Sequence, residues 1–107
     1  MTMFNDQGRG EEMQFARSEE MAFRITARRN RLLGQWAADL MGLTPEETDA
    51  YAKAVVQADF EEAGDEDVVR KLSGDMTAAG VDIDDATVRG ALARMAIEAR
   101  RQLMQAE

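Results

Sequence analysis

The sequence predicts an all-α protein, an irregular antiparallel four-helix bundle with a flexible or partly helical N-terminal segment. Strong helix formers dominate the composition, and the 107 residues include a single proline. Apolar residues recur at spacings of three and four, which places them on one face of a helix. Glycine, proline and capping residues mark boundaries that leave only short links, and short links make consecutive helices antiparallel neighbours.

The chain divides into two parts, an N-terminal segment (residues 1–17) and a bundle (residues 18–107). Gly8 and Gly10 lower the helical propensity of the N-terminal segment, so a frayed terminus is the simpler interpretation. The segment nevertheless carries large apolar residues that a solvated tail does not need. A segment of this kind can become ordered on a partner, with its apolar side in a groove.

The first helix of the bundle is predicted to begin at Ser18, with an earlier start near Glu11 as the alternative, and to end at Met41, before Gly42. Its apolar face, which the other helices must cover, comprises Leu32, Leu33, Trp36, Ala37 and Leu40. Gly34 lies within this helix, where a missing side chain lets another backbone approach.

The second helix has the clearest start in the sequence. Thr44 is placed as N-cap, Pro45 suits the first helical position, and Glu47 completes a capping box. The helix is expected to end near Gly64. Its apolar positions are Tyr51, Ala52, Val55, Val56 and Phe60.

The third helix is predicted to be capped by Asp65 and to end at Ala79 and Gly80. Its buried side comprises Val68, Val69, Leu72 and Met76. Val81 and Ile83 alternate with acids in the link that follows. Both side chains are therefore expected to pack beneath the turn between the third and fourth helices.

The fourth helix is predicted to follow Asp84 as N-cap and to run from Asp85 to about Met104. Its apolar side comprises Val88, Leu92, Met95, Ala96, Ala99 and Leu103. Because the third helix is short, the bundle is expected to be irregular.

Composition excludes several classes of function. The chain has no cysteine and no histidine, so thiolate chemistry, cysteine-zinc sites and the usual general base are absent and an enzyme is not expected. A net charge of -8 argues against binding to nucleic acid or to anionic lipid. The sequence shows neither a secretory signal nor a segment long enough to cross a bilayer, so a cytoplasmic protein is predicted.

An acidic cluster spans the end of the second helix and the start of the third. Its members are Asp59, Glu61, Glu62, Asp65, Glu66 and Asp67. Carboxylates held together can gather a divalent cation, but this stretch lacks the alternation of a calcium loop. A solvated acidic corner without a metal is the favoured interpretation.

A basic cluster opens the first helix of the bundle and comprises Arg24, Arg28, Arg29 and Arg31. Pairing with acids of the second and third helices is the simplest role for these arginines. The alternative is a bundle that binds a nucleotide or metabolite weakly through them, although no glycine-rich phosphate cradle accompanies the cluster.

Three blocks of the sequence carry a family resemblance: ARRNRLLGQWAADLMGL (Ala27 to Leu43), AYAKAVVQADFEEAGDEDVVRKL (Ala50 to Leu72) and GVDID (Gly80 to Asp84). Together they resemble the zeta-type inhibitor subunit of the alphaproteobacterial F-type ATP synthase. The similarity covers nearly the whole chain, and ARRN-x-LLG-x-WAA and ADFEE-x-GDED are not generic helical patterns.

The resemblance implies a regulatory four-helix protein that binds the catalytic head of the synthase, formed by the alpha, beta and gamma subunits, and blocks ATP hydrolysis. The chain would then lie in the cytoplasm, peripheral to the inner membrane through the synthase, and use no cofactor. The inhibitory stretch would run from Met1 to about Glu20 and enter a catalytic interface, with the bundle as anchor. Its candidate contacts are Phe4, Arg9, Met13, Phe15, Arg17 and Glu19. Gly8 and Gly10 depart from the helix-prone terminus of the family and predict weaker inhibition.

Overall fold

A computed structural model of the chain describes the backbone of residues 2–61 and 64–105 and the side chains of residues 18–60 and 64–105. It contains α1 (Thr2–Met41), α2 (Pro45–Glu61), α3 (Asp65–Ala78) and α4 (Asp85–Gln105). Within these ranges every regular element is helical. The predicted all-α, four-helix architecture is therefore confirmed.

The helix expected to begin at Ser18 instead begins at Thr2, so the prediction of this boundary was wrong. Gly8 and Gly10 each cost about 1 kcal/mol relative to alanine, but that cost lowers helical propensity without forbidding a helix. No proline or glycine follows them before Gly34, so nothing stops the helix between the N-terminal segment and the bundle. The predicted flexibility of the N-terminal segment in the free chain stays a prediction.

Helix α1 is the hub of the bundle, because α2, α3 and α4 all pack against it. Its fully buried line contains Leu33, Ala37 and Ala38, whereas Leu40 is 45% exposed. The buried face is thus rotated by about one residue from the predicted one. Gly34 brings α2 close on the side of Ala37 and Ala38, whereas Leu40 borders a groove toward the link before α4.

The contact between α1 and α2 is closest at Gly34. A Cβ atom built at this glycine would lie 2.8 Å from the Ala52 Cα atom and 3.2 Å from Cγ2 of Val55. The predicted close approach of another backbone is confirmed. No side chain fits at position 34 without moving the backbone of α2.

The start of α2 is fixed by the predicted capping box. The Glu47 backbone N–H donates to Thr44 Oγ1 (3.2 Å), and the Thr44 backbone N–H donates to Glu47 Oε1 (2.9 Å). These two bonds satisfy donors that the first turn leaves free, and the bonds from Thr44 lower the pKa of the Glu47 carboxyl. Pro45 is the first residue of the helix, as expected.

Helices α1 and α3 end in the same way. Gly42 and Gly80 have positive φ, at 73° and 82°. The N–H of the next residue reaches back to a carbonyl of the last turn, from Leu43 to Ala38 (3.0 Å) and from Val81 to Met76 (2.8 Å). This 6→1 bond is the Schellman motif, which needs a left-handed residue that glycine adopts without strain.

Helix α3 begins differently from the prediction. Its N-cap is Gly64, which makes no side-chain capping bond, and Asp65 is the first helical residue. The predicted capping role of Asp65 was therefore wrong. The Asp65 carboxylate instead pairs with Arg29 of α1, at 3.0 Å from Nη1, and so ties the start of α3 to the hub.

The core lies where α1, α2, α3 and α4 meet. The four residues predicted to be buried on α3 are all buried, as are Val55 of α2 and Val88 of α4. Val81 and Ile83 pack against this core from the link before α4, as expected. Asp84 caps α4 by accepting from the Thr87 backbone N–H (2.8 Å), which confirms the predicted start.

Candidate partner-binding surface

The six predicted contact residues of the N-terminal stretch all lie on α1. They are Phe4, Arg9, Met13, Phe15, Arg17 and Glu19. Glu19 is the only one whose side chain is described, and it is exposed. The side chains of the other five lie outside the described residues, so their predicted contacts stay predictions.

A pair of exposed aromatic rings lies where α2 ends beside α1. Phe23 and Phe60 are 55% and 56% exposed, and their ring centroids are 5.1 Å apart at an angle of 47°. The tilted geometry is favourable for aromatic pairs. Behind the rings, Ala27, Asn30 and Val56 line a groove of about 300 Å³. This end of the bundle therefore presents apolar surface just beyond the N-terminal segment.

Asn30 of this groove belongs to a buried polar group that it forms with Arg29. Arg29 Nε and Nη2 donate to Asn30 Oδ1 at 3.1 and 3.0 Å, while Nη1 of the same guanidinium pairs with Asp65. Arg29 and Asn30 are 8% and 1% exposed. Among the described residues, Asn30 Nδ2 has no hydrogen-bond partner. The arginine thus satisfies the amide oxygen of Asn30 and links α1 to α3.

The predicted basic cluster does not form one site. Arg24, Arg28 and Arg31 border a shared groove with Val56, whereas the guanidinium of Arg29 is directed to α3. Three of the four candidate nucleotide-binding arginines therefore lie together, and the fourth is engaged inside the fold.

The predicted pairing of the arginines with α2 and α3 is found for two of them. Arg29 pairs with Asp65 of α3, and Arg31 pairs with Asp49 of α2 at 3.4 Å. Arg24 instead pairs with Glu20 of its own helix (2.7 Å). Arg28 donates to Gln102 at 2.8 Å, which joins α1 to the C-terminal end of α4.

The acidic start of α3 is neutralised by arginines. Asp65 pairs with Arg29, and Asp67 pairs with Arg70 at 3.0 Å. Glu66 receives two hydrogen bonds from Arg89 of α4, at 2.8 and 2.7 Å, which lower the pKa of its carboxyl.

In the part of the chain that the structure describes, no three acids are grouped closely enough to hold a metal ion. In that same part, no helix is long and apolar enough to span a membrane.

The outer side of α4 is a surface that the sequence reasoning missed. Ile97 is 73% exposed and Met104 is 52% exposed. A helical wheel of α4 would have found Ile97, because it falls opposite Val88 and Ala99 on the buried side.

Replacement of Arg29 by methionine is expected to lower the free energy of unfolding by about 2–3 kcal/mol, because it leaves both polar ends of the buried Asn30 amide unsatisfied. The loss of the ion pair with Asp65 contributes less to this change in free energy, since the Asp65 carboxylate is half exposed. Urea unfolding followed by circular dichroism measures the change.

The matched control is Arg31→Met, which removes an exposed pair and is expected to cost less than about 1 kcal/mol. The double variant Arg29→Met/Asn30→Leu should recover part of the loss, since it removes both polar partners. Equal losses for Arg29→Met and Arg31→Met would contradict the structural role of Arg29.

Comparisons with known proteins give the chain its family. The family model described as ATPase inhibitor subunit zeta matches residues 1–102. A structure solved by solution NMR is 44% identical in sequence, with a TM-score of 0.72, over 81% of this chain and 99% of that one. A search of curated proteins gives no match. This family model spans nearly all of the chain. The chain therefore belongs to the ATPase inhibitor subunit zeta family, as the three sequence blocks predicted.

Proposed function

We propose that this chain inhibits the F-type ATP synthase by inserting its N-terminal segment into a catalytic interface of the head formed by the alpha, beta and gamma subunits. The family supports the inhibitory role. The observation that carries the proposed mechanism is the continuity of α1 from Thr2 to Met41. The segment and the hub of the bundle are parts of one helix, so a force on the segment is transmitted to the bundle.

The register of α1 supports insertion between two surfaces. Phe4 and Phe15 are eleven residues apart, about three helical turns, and therefore occupy one face. Arg9, Met13 and Arg17 follow one another at i, i+4 and i+8 on the opposite face. A helix with contact residues on both faces suits an interface between subunits better than a groove on a single subunit.

The reach of the segment also suits insertion. Residues 2–17 are helical, and sixteen residues span roughly 24 Å at about 1.5 Å per residue. Shortly after this stretch, Phe23 of α1 lies against Phe60 at the end of α2. The contact with α2 would stop the helix from entering further than this point.

Inhibition of this kind needs no catalytic residue. The segment occupies a site that must close during the rotary cycle, and its effect equals the difference between its free energies of binding to the two states of the motor. A preformed helix strengthens binding, because less conformational entropy is lost on insertion. Binding to the head would place the chain on the cytoplasmic side, peripheral to the inner membrane.

Steady-state ATP hydrolysis by the cognate catalytic head tests the proposal. Addition of the full chain at saturating excess is expected to remove most of the hydrolysis rate. A monomeric ATPase without a rotary head should be unaffected, which controls for capture of ATP or interference with the coupled assay. Undiminished hydrolysis by the head would contradict the inhibitory function.

A weak nucleotide site is the second candidate function, and the groove bordered by Arg24, Arg28 and Arg31 favours it. Three cations around one groove could contact the phosphates of a nucleotide. An NMR titration with ATP should shift the amide signals of these arginines and leave α3 unchanged. A titration without shifts would remove this candidate.

A further inference from the structure

The outer face of α4 combines exposed apolar residues with small ones. Ile97 and Met104 are its large exposed groups, and Ala86, Gly90 and Ala93 precede them at helical spacing. Ala86 and Ala93 are exposed, so a partner can approach closely around the projecting Ile97, while the Arg94 side chain lies over Gly90. We call this strip and the arginines beside it the α4 outer face.

Arginines flank the strip on both sides. They are Arg89, Arg94, Arg100 and Arg101, and α4 contains only two acids, Asp85 and Glu98. The helix is therefore net positive in a chain whose net charge is -8. Among the described residues, Arg94 and Arg100 form no ion pair, in contrast to Arg89 and Arg101. Their charges are available to a partner.

The fold does not require this surface. The buried side of α4 is formed by Val88, Ala91 and Ala99, on the opposite side of the helix. Exposed isoleucine surface is unfavourable in water, in proportion to its apolar area. Ile97 therefore gains its apolar contacts only when something covers it.

The C-terminal end of α4 lies beside the part of α1 that directly follows the N-terminal segment. Arg100 and Met104 share a groove with Met21, Arg24 and Ile25 of α1. A partner held by the N-terminal segment would thus meet the α4 outer face next, without any rearrangement of the bundle.

We propose that the α4 outer face docks the bundle onto an acidic protein surface of the catalytic head, in which carboxylates surround an apolar patch. The inference rests on the proposed function and adds a second contact to it. Charge complementarity selects this occupant: the arginines match carboxylates, and Ile97 matches the apolar patch. A second copy of the chain is disfavoured, because a symmetric contact would bring like arginines together.

Two variants test the docking surface in the full chain. Ile97→Glu and Arg100→Glu are each expected to raise the half-inhibitory concentration at least about tenfold, a loss of about 1.4 kcal/mol of binding. The maximal inhibition at saturating excess should stay unchanged, because the N-terminal segment is intact. Arg70→Glu is the matched control, since Arg70 is a 74% exposed arginine side chain on α3, and it should shift the value less than about twofold.

Direct binding to the immobilised head separates this proposal from the inhibitory mechanism. Weaker binding of Ile97→Glu supports docking through α4 even if the full chain does not inhibit. Binding and half-inhibitory concentrations equal to those of the unmodified chain would overturn the docking proposal and leave the inhibitory function standing. No binding of the unmodified chain would overturn both.

Other occupants give different results. If Ile97→Glu converts a dimer into a monomer in analytical ultracentrifugation without changing binding to the head, the face is a self-association surface and the proposal fails. If the unmodified chain sediments with phosphatidylglycerol vesicles and Ile97→Glu does not, while binding to the head is unchanged, the face is a lipid surface and the proposal fails. Thermal melting confirms that each variant is folded.

Discussion

Deletion of residues 1–17 is expected to abolish inhibition of ATP hydrolysis, since it removes five of the six predicted contacts with the catalytic interface. In the described part of the chain, every fully buried hydrophobic residue lies between Leu33 and Ala99. The deletion removes none of them, so residues 18–107 should still melt cooperatively. Steady-state hydrolysis by the head and thermal melting by circular dichroism measure the two outcomes.

Point variants locate the effect within the segment. Phe4→Ala and Phe15→Ala should each weaken inhibition by roughly tenfold or more, as expected for aromatic anchors buried in an interface. Gly8→Ala/Gly10→Ala keeps length and charge and favours the helix by up to about 1 kcal/mol per residue, so it should inhibit at lower concentration. Full inhibition by residues 18–107 would move the inhibitory site to the bundle.

Substitution of Gly34 by valine is expected to lower the free energy of unfolding by about 3 kcal/mol, at the upper end of the usual cost of overpacking. The added Cβ atom would lie 2.8 Å from the Ala52 Cα atom, so α2 must move away from the hub. A midpoint of thermal unfolding lower by more than about 10 °C is expected for a domain of this size.

The matched control is Gly74→Val on α3, where an added Cβ atom meets nothing within 4 Å. Valine has a higher helical propensity than glycine, so this variant should be as stable as the unmodified chain or slightly more stable. If the two variants unfold at the same temperature, the close contact of α1 with α2 at Gly34 is not present.

The boundaries that sequence predicted correctly depend on chemistry within a few residues. The box of Thr44 and Glu47, the cap at Asp84, and the left-handed glycines at 42 and 80 each form bonds inside one turn. Such local patterns can be recognised without knowledge of the fold. The blocks that gave the family are likewise short and specific, so the family was predictable from them.

Two of the errors in the prediction involve partners that are distant in the sequence. Asp65 resembles an N-cap locally, but Arg29, which precedes it by 36 positions, takes its carboxylate. The rotation of the buried face of α1 depends on where α2 packs, and the apolar surface near Phe60 depends on Phe23. The contact residues of the N-terminal segment remain a prediction, because their interactions are with another molecule.

The continuity of α1 fixes an angle as well as a distance. Each residue added to an α-helix turns everything beyond it by about 100° and advances it by about 1.5 Å. One residue inserted near Ser18 would rotate the inhibitory face away from the bundle's contacts, whereas seven would restore the orientation to within about 20°. The length of α1 therefore sets the rotation of the N-terminal segment relative to the bundle. The two parts can engage the same partner only when this rotation matches the arrangement of the partner's two binding surfaces.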